Sequence, residues 1–319
     1  MSIEINNELI IDLNRSKSMK SIPPKYNEII LTNSNPVPLN ETTIFSIFKK
    51  IKNLNHVESL EIDPDSTISN LKILTLFQNI KSLNIYSQYL ANLDGIEHFK
   101  GNYIQIDTDN KKRLDITGLS RTKITNLVMK IIKESDIDEI ALCINLERIL
   151  LTNCPNISFA KFKKVPLSLM QLWGGKLEVI EDTINIPTLE TLTLGKNTKL
   201  QNFNGDNSNV IYLHINACNN LDLKTIGTFK NLKNITLESI KKNFSISDFQ
   251  SLKKIESISL RGNCNVDIDI NQFNMFKSLK KVLISNLKAD NAKEMSNQNI
   301  NILISNGSYE FINGKLIEN

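Results

Sequence analysis

Hydrophobic residues recur in a fixed pattern along most of the chain. The pattern is L-x-x-L-x-L-x-x-N/C, with Ile, Val or Met allowed in place of Leu, and its best copies begin at Leu146, Leu189 and Val210. Weaker copies begin at Tyr26, Val57, Ile80, Gly101, Ile124, Leu167, Leu232, Ile255, Leu279 and Asn299. From Val57 onward successive copies are about 22 residues apart. Thirteen copies at this spacing predict a repeat protein, in which each unit buries its apolar side against its neighbours.

Each copy predicts one short strand with two different faces. Side chains alternate along a strand, so the fourth and sixth positions enter the core, while the third, fifth and seventh point the other way. A small polar side chain in the N/C position satisfies backbone groups where the chain leaves the strand. Ile132, Gly175, Ile240 and Leu287 break that rule, and we expect an irregular turn at each of them.

The two ends of the repeat array carry their own signals. Residues 3–13 alternate in polarity around Asn6-Asn7, which predicts a hairpin. Asn40 is placed to cap a helix whose apolar positions are Ile44, Ile47, Phe48 and Ile51. Residues 309–317 surround Asn313-Gly314, a strong hairpin signal. We therefore predict a single domain over residues 1–319, with an N-terminal cap and first repeat in 1–56, repeats in 57–308 and a C-terminal hairpin cap in 309–319.

The pattern resembles the leucine-rich repeat family. The spacing, and apolar positions between strands such as Phe244, Ile246, Phe249 and Leu252, are similar to the short internalin-type repeats of bacteria. The resemblance covers roughly residues 20–308. It implies the α/β class and a horseshoe-shaped leucine-rich repeat solenoid of about 13 repeats, with a parallel sheet on the concave face and hairpin and helix caps. The repeat is specific for the fold, and function has to be argued from individual residues.

Composition narrows the function classes. No run approaches 18 uncharged apolar residues, which predicts no membrane contact, and the first residues lack a basic and apolar secretion signal, which predicts a cytoplasmic protein. The net charge is +4, but only five of the 38 basic residues are Arg, so 33 are Lys. Specific phosphate recognition favours the Arg fork, and we therefore expect no nucleic-acid partner.

The residues that could carry chemistry fit structural roles better. Cys154 and Cys218 occupy the N/C position, Cys264 follows Asn263, which occupies it in another copy, and Cys143 lies in an apolar run. No C-x-x-C pair exists, so we interpret all four as buried reduced thiols. The three histidines are far apart, and neither G-x-S-x-G nor a P-loop is present. The sequence therefore predicts a non-enzymatic protein without a metal or cofactor.

The concave face is the surface on which we expect a partner to bind. Its exposed positions include acidic Glu61 and Asp63 near the N-terminus, with Glu238, Arg261 and Lys281 near the C-terminus. Because Trp, Tyr and Arg are enriched at binding hot spots, the predicted partner-binding residues centre on Trp173 and Tyr212. The full set is Tyr86, Tyr103, Asp107, Arg148, Trp173, Tyr212 and His214. For the acidic group, binding and mere solvation remain equally acceptable interpretations.

These observations favour a cytoplasmic module that binds another protein on its concave face, by occlusion or as a scaffold. A narrower hypothesis is a bacterial immunity protein that neutralises a toxin. The alternative is an exported host-directed effector or an internalin-like adhesin, which would need an export route. An enzyme of the ligase type found with bacterial repeats would carry a catalytic domain beyond the repeats, and we expect the repeats and caps to account for residues 1–319.

Overall fold

The structure is a computed structural model of the chain. It describes residues 3–5, 8–18, 26–35, 37, 39–51, 54–108, 114–131, 133–267, 270–285, 301–305, 309–312 and 315–318. The chain divides into two compact units, Met1–Ile149 (unit 1) and Leu150–Asn319 (unit 2). The single-domain prediction stays a prediction.

Strands dominate both units. They are β1 Ile3–Ile5, β2 Glu8–Asp12, β3 Glu28–Thr32, β4 Ser59–Ile62, β5 Ser82–Ile85, β6 Tyr103–Ile106, β7 Asn126–Lys130, β8 Arg148–Cys154, β9 Leu169–Gly175, β10 Val179–Glu181, β11 Thr191–Gly195, β12 Asn202–Asn204, β13 Tyr212–Asn216, β14 Asn234–Glu238, β15 Phe244–Ser245, β16 Ser257–Arg261, β17 Val266–Asp267, β18 Lys281–Ser285, β19 Asn301–Ser305, β20 Tyr309–Ile312 and β21 Lys315–Glu318. The α-helices among the described residues are α1 Glu41–Phe48 and α2 Ser135–Ala141. Short 3-10 turns such as Lys72–Leu76 and Leu223–Thr228 fill most of the connections.

Unit 1 begins with the predicted hairpin. β1 and β2 pair antiparallel, and from β2 to β7 each strand pairs in parallel with the next. The predicted helix is α1, capped by the Asn40 side chain, which accepts a hydrogen bond from the Thr43 backbone N–H at 2.8 Å. Ile44, Ile47 and Phe48 on α1 are buried as the apolar spacing predicts. β2 is more than a cap, since it is also the first strand of the parallel sheet, which the repeat count missed.

Unit 2 continues the same architecture. β9, β11, β13, β14, β16, β18 and β19 pair in parallel in that order, and β19, β20 and β21 then pair antiparallel. The predicted C-terminal hairpin is confirmed by β20 and β21, while its Asn313-Gly314 turn lies outside the described residues. Buried Phe side chains such as Phe203 and Phe229, whose ring centroids are 4.8 Å apart, fill the layer behind the sheet.

The repeat register is confirmed at every copy. Each of the thirteen predicted copies carries a strand that begins two residues after the copy starts, including the weak copies at Gly101 and Ile124. In Tyr103–Ile106, for example, Ile104 and Ile106 are buried while Tyr103 and Gln105 are partly exposed. Tyr103 and Asp107 therefore lie on the face to which the pattern assigns them.

A left-handed residue lies within one residue of the end of many strands of unit 2. Residues with φ between 51° and 66° occupy the eighth position of six successive copies. They are Asn153, Gly174, Lys196, Ala217, Ser239 and Gly262. The next side chain can then turn inward: Asn197 Nδ2 donates to the carbonyls of Leu172 (2.8 Å) and Gly195 (3.1 Å). This is the physical role of the N/C position.

The N/C position departs from the pattern at Cys264 and at Gly175. In the copy that starts at Ile255, Asn263 is exposed and Cys264 takes its role, because the Cys264 thiol donates to the carbonyls of Leu237 (3.5 Å) and Arg261 (3.2 Å). Cys264 is only partly buried, unlike the other three thiols, so the prediction that all four are buried is wrong for it. The irregular turn is confirmed at Gly175, which has φ +97° and packs its Cα against the Cys154 backbone.

The remaining irregular copies have different outcomes. The expectation of an irregular turn is wrong at Ile240, which is buried and follows left-handed Ser239 as in the regular copies. The turn differs from them only in that Ile240 has no side-chain donor. Ile132 and Leu287 lie outside the described residues.

Candidate binding faces

The sheet of each unit has one side that the core does not cover. Along most strands the fourth and sixth positions are buried, while the third, fifth and seventh retain some exposure. We call the side formed by these alternate positions in β2–β7 the unit 1 face, and its counterpart in β9, β11, β13, β14, β16 and β18 the unit 2 face. Side chains at the same position of neighbouring strands form rows across each face.

The Trp173 side chain lies flat on the unit 2 face because its neighbour Gly195 has no side chain. The two residues are partners across the β9–β11 pair. A Cβ on Gly195 would lie under 3.0 Å from the Cδ2, Cε3 and Cζ3 atoms of the indole, so the six-membered ring of Trp173 covers the glycine. Any larger residue at this position would push the ring off the sheet.

Tyr212 and His214 lie on β13 of the same face. The Tyr212 side chain is 45% exposed, one of the most exposed large hydrophobic residues described. His214 Nε2 lies 3.1 Å from Glu238 Oε2, and both side chains keep about a third of their surface exposed. Next to Glu238 in its row, Arg261 donates from Nε to Ser259 Oγ at 3.1 Å.

Trp173 and Tyr212 are not direct neighbours on the unit 2 face. Tyr212 shares its row with Thr191, whereas Trp173 shares its row with Gly195 and Asn216. Two strand spacings and four residues separate them, which places their Cα atoms on the order of 16 Å apart. The two aromatic residues are therefore separate contact points on one face.

The unit 1 face is acidic. Its exposed positions carry five carboxylates, and none of these forms an ion pair with a described Lys, Arg or His. They are Glu8, Glu28, Glu61, Asp63 and Asp107. Tyr86 and Tyr103 lie among them with partly exposed rings, and the Tyr103 hydroxyl donates to Gln105 Oε1 at 2.9 Å.

Partial burial and, after it, the repulsion between neighbouring carboxylates raise pKa values on this face. Partial burial, together with the nearby charges of Glu28, Asp63 and Glu8, raises the pKa of Glu61. Burial and the charges around Glu61 and Asp107 likewise raise the pKa of Tyr86. Both shifts mean that adding negative charge here is unfavourable.

The seven predicted partner-binding residues thus divide between the two units. Tyr86, Tyr103, Asp107 and Arg148 belong to unit 1, while Trp173, Tyr212 and His214 belong to unit 2. Arg148 is exposed at the start of β8. Their part in binding stays a prediction. Sequence reasoning missed Gly195, and it also missed Glu8 and Glu28. The copy at Tyr26 places Glu28 at a third position, and Glu8 takes the same position if the pattern is extended to a further copy that starts at Asn6.

Neither a metal centre nor a membrane-spanning helix was found in the part of the chain that the structure describes. Groups of three His, Cys, Asp or Glu side chains arranged to hold a metal ion are absent there. No described helix has the length and apolar character needed to cross a membrane.

Comparison with known proteins identifies the fold. The chain is similar to the TLR13 structure in a complex with ssRNA13 (13% identity, TM-score 0.57, 94% of this chain and 54% of that one). It is also similar to the mouse RP105/MD-1 complex (14% identity, TM-score 0.56, 92% and 53%). The chain has a leucine-rich repeat fold. It spans about half the length of these two structures.

The leucine-rich repeat fold is the extent of the likeness. No protein-family model and no curated protein matches the chain. An internalin from Listeria monocytogenes is also similar (16% identity, 93% of this chain and 86% of that one), but its TM-score of 0.41 is too low to support the internalin-like subclass. That subclass stays a prediction.

Proposed function

We propose that this chain is a non-enzymatic module that binds a protein partner on the open faces of its sheet. The observation that carries the proposal is the arrangement of Trp173 over Gly195, which holds a large aromatic side chain on a rigid strand. An aromatic ring that is already fixed offers contact area at little further cost in conformational entropy. Tyr212, 45% exposed on the same face, provides a second anchor.

The nature of the partner is argued from the faces themselves. The two similar structures are complexes, one with MD-1 and the other with ssRNA13, so the fold alone does not choose a partner class. A nucleic acid requires cations along its phosphates. The unit 1 face presents unpaired carboxylates instead, which favours a protein over a nucleic acid.

The finer form of the proposal is a cytoplasmic bacterial protein that neutralises a toxin by covering its active site. A preformed surface of many strands suits occlusion, because it can cover a site without rearranging. Free buried thiols at Cys143, Cys154 and Cys218 support a reducing compartment.

The test is an affinity capture from the native host's lysate with three baits. They are the wild type, the Trp173→Ala/Tyr212→Ala variant, and a Leu142→Ala/Ile144→Ala variant as control. Leu142 and Ile144 are 59% and 61% exposed on a connecting segment, so the control removes exposed apolar surface away from the sheet faces. A near-stoichiometric protein should be retained by wild type and control and lost from the face variant. A partner kept by the face variant and lost from the control would refute the proposal.

A further inference from the structure

The unit 1 face holds like charges in direct opposition. Glu8 and Glu28 are Cα partners across the parallel β2–β3 pair. Like charges placed opposite each other on neighbouring strands destabilise a sheet. Glu28 accepts a hydrogen bond from the Ser59 hydroxyl at 3.2 Å, but no described cation neutralises either carboxylate. The fold therefore tolerates a repulsion that a positively charged ligand would relieve.

A second observation on this face is independent of its charge. The Oδ1 atom of Asn84 is buried and has no hydrogen-bond partner among the described residues. Asn84 lies on β5 between Glu61 on β4 and Gln105 on β6, in the same row. A buried acceptor without a donor is uncommon in folded proteins. The middle row of this face therefore contains one acceptor that the described residues leave without a donor.

The aromatic residues of the unit 1 face indicate which kind of cation the face binds. Tyr86 and Tyr103 are partly exposed within the carboxylate group. A ring face attracts Lys or Arg, and a carboxylate attracts the same side chains, so the two groups together select an organic cation.

The spacing of the carboxylates selects an extended ligand. They lie on strands from β2 to β6, which span about 19 Å at the usual strand separation. That length matches about six residues of extended chain. The carboxylates do not converge as the ligands of one metal ion would, and the described residues hold no such group. Their sign excludes a phosphate backbone.

We infer that the unit 1 face docks a lysine- and arginine-rich segment of the partner protein. This inference rests on the proposed function and names the chemistry of the partner. The carboxylates contact the cationic side chains, the tyrosine rings pack on their stems, and a donor from the segment reaches Asn84.

The test measures binding of a fluorescein-labelled peptide, (Lys-Arg)4, by anisotropy at low salt. The face variant is Glu28→Gln/Glu61→Gln. The matched control is Glu41→Gln/Glu97→Gln, which removes two glutamates from α1 and from a connecting turn of the same unit. We expect the face variant to weaken binding at least tenfold and the control less than twofold. Equal losses in both variants, or no loss in the face variant, would overturn the inference.

Three further measurements keep the outcome independent of folding and of the proposed function. Thermal melts confirm that both variants are folded. In hydrogen exchange, the bound peptide should slow the exchange of backbone amides in β4, β5 and β6. Slower exchange only in other elements would contradict the inference. The face variant is then used as a bait for the cellular partner. A partner lost with Trp173→Ala/Tyr212→Ala but fully retained by Glu28→Gln/Glu61→Gln would leave the proposed function standing and remove the basic-segment inference.

Discussion

The six-membered ring of Trp173 covers Gly195, its partner on the neighbouring strand. Trp173 is the single tryptophan of the chain, so its fluorescence reports on this contact without interference. The glycine is as important as the aromatic residue, because a side chain at position 195 would displace the ring from the sheet. One pair thus connects the backbone of the fold to the proposed binding surface.

Gly195→Ala should move the indole into solvent. The added methyl group would overlap the ring, and because the ring is partly exposed it can swing away, so we expect destabilisation of about 1 kcal/mol, at the lower end of overpacking costs. The fluorescence emission should shift to longer wavelength and partner binding should weaken. Urea unfolding and emission spectra measure both effects. An unchanged spectrum would show that the ring does not rest on Gly195.

The N/C position can be tested by comparing two asparagines. Asn197→Ala removes two buried hydrogen bonds to carbonyls and should cost about 1–3 kcal/mol of unfolding free energy. Asn263→Ala, at the position the sequence pattern assigns to the same role, should change stability by less than about 0.5 kcal/mol because its side chain is exposed. Chemical denaturation gives both values. Similar costs would contradict the assignment of Cys264 to the inward position.

Glu61→Gln should stabilise the protein, contrary to most substitutions. Burial and neighbouring carboxylates raise the pKa of Glu61, so the folded protein disfavours its charged form. At pH 7 the variant should be more stable by about 0.5 kcal/mol, a small value because the side chain is partly solvated. The gain should shrink as the pH falls through the folded pKa toward 4.5, where wild-type Glu61 becomes neutral, and also in high salt. A gain that persists at pH 4 would refute the electrostatic explanation.

The thiols should differ sharply in reactivity. Burial raises the pKa of Cys154 to about 12 and that of Cys218 to about 11. At pH 8 a disulfide reagent should label partly buried Cys264 first and the other three only on unfolding. Burial raises the folded pKa values above the ordinary thiol value of 9.0. The stability that the buried neutral thiols contribute is therefore complete below about pH 9, and it is lost as the pH rises through the folded pKa values. Rapid labelling of all four thiols in the native protein would contradict this account.

Much of the fold follows from the repeat alone. Period-two burial and the spacing of about 22 residues predict the thirteen strands and their register, because each copy has only one way to bury its apolar positions. Asn40 and Asn313-Gly314 mark the α1 cap and the last hairpin through local chemistry. The pattern missed β2 as a sheet strand, since Asn6 is a poor match at the first position. It also misplaced Cys264, whose thiol makes the inward hydrogen bonds that the pattern assigns to Asn263.

The candidate site is less predictable for a physical reason. Position in the pattern places a residue on a face, as it does for Tyr86, Tyr212 and His214, but cross-strand relations depend on the register of several strands together. The separation of Trp173 from Tyr212, the Glu8–Glu28 opposition and the unpaired Oδ1 of Asn84 all arise from that register. The sequence pattern does not distinguish Gly195 from other residues at the same position. Its role follows only from the Trp173 ring that lies over it.

Site-specific photo-crosslinking in the native host tests the central claim most directly. A benzophenone side chain is introduced in place of Tyr212 on the unit 2 face or, as the comparison, in place of exposed Leu142 on a connecting segment. Binding through the open face predicts one dominant crosslinked protein from position 212 and none from position 142. Crosslinking of that protein from position 142 alone would contradict it.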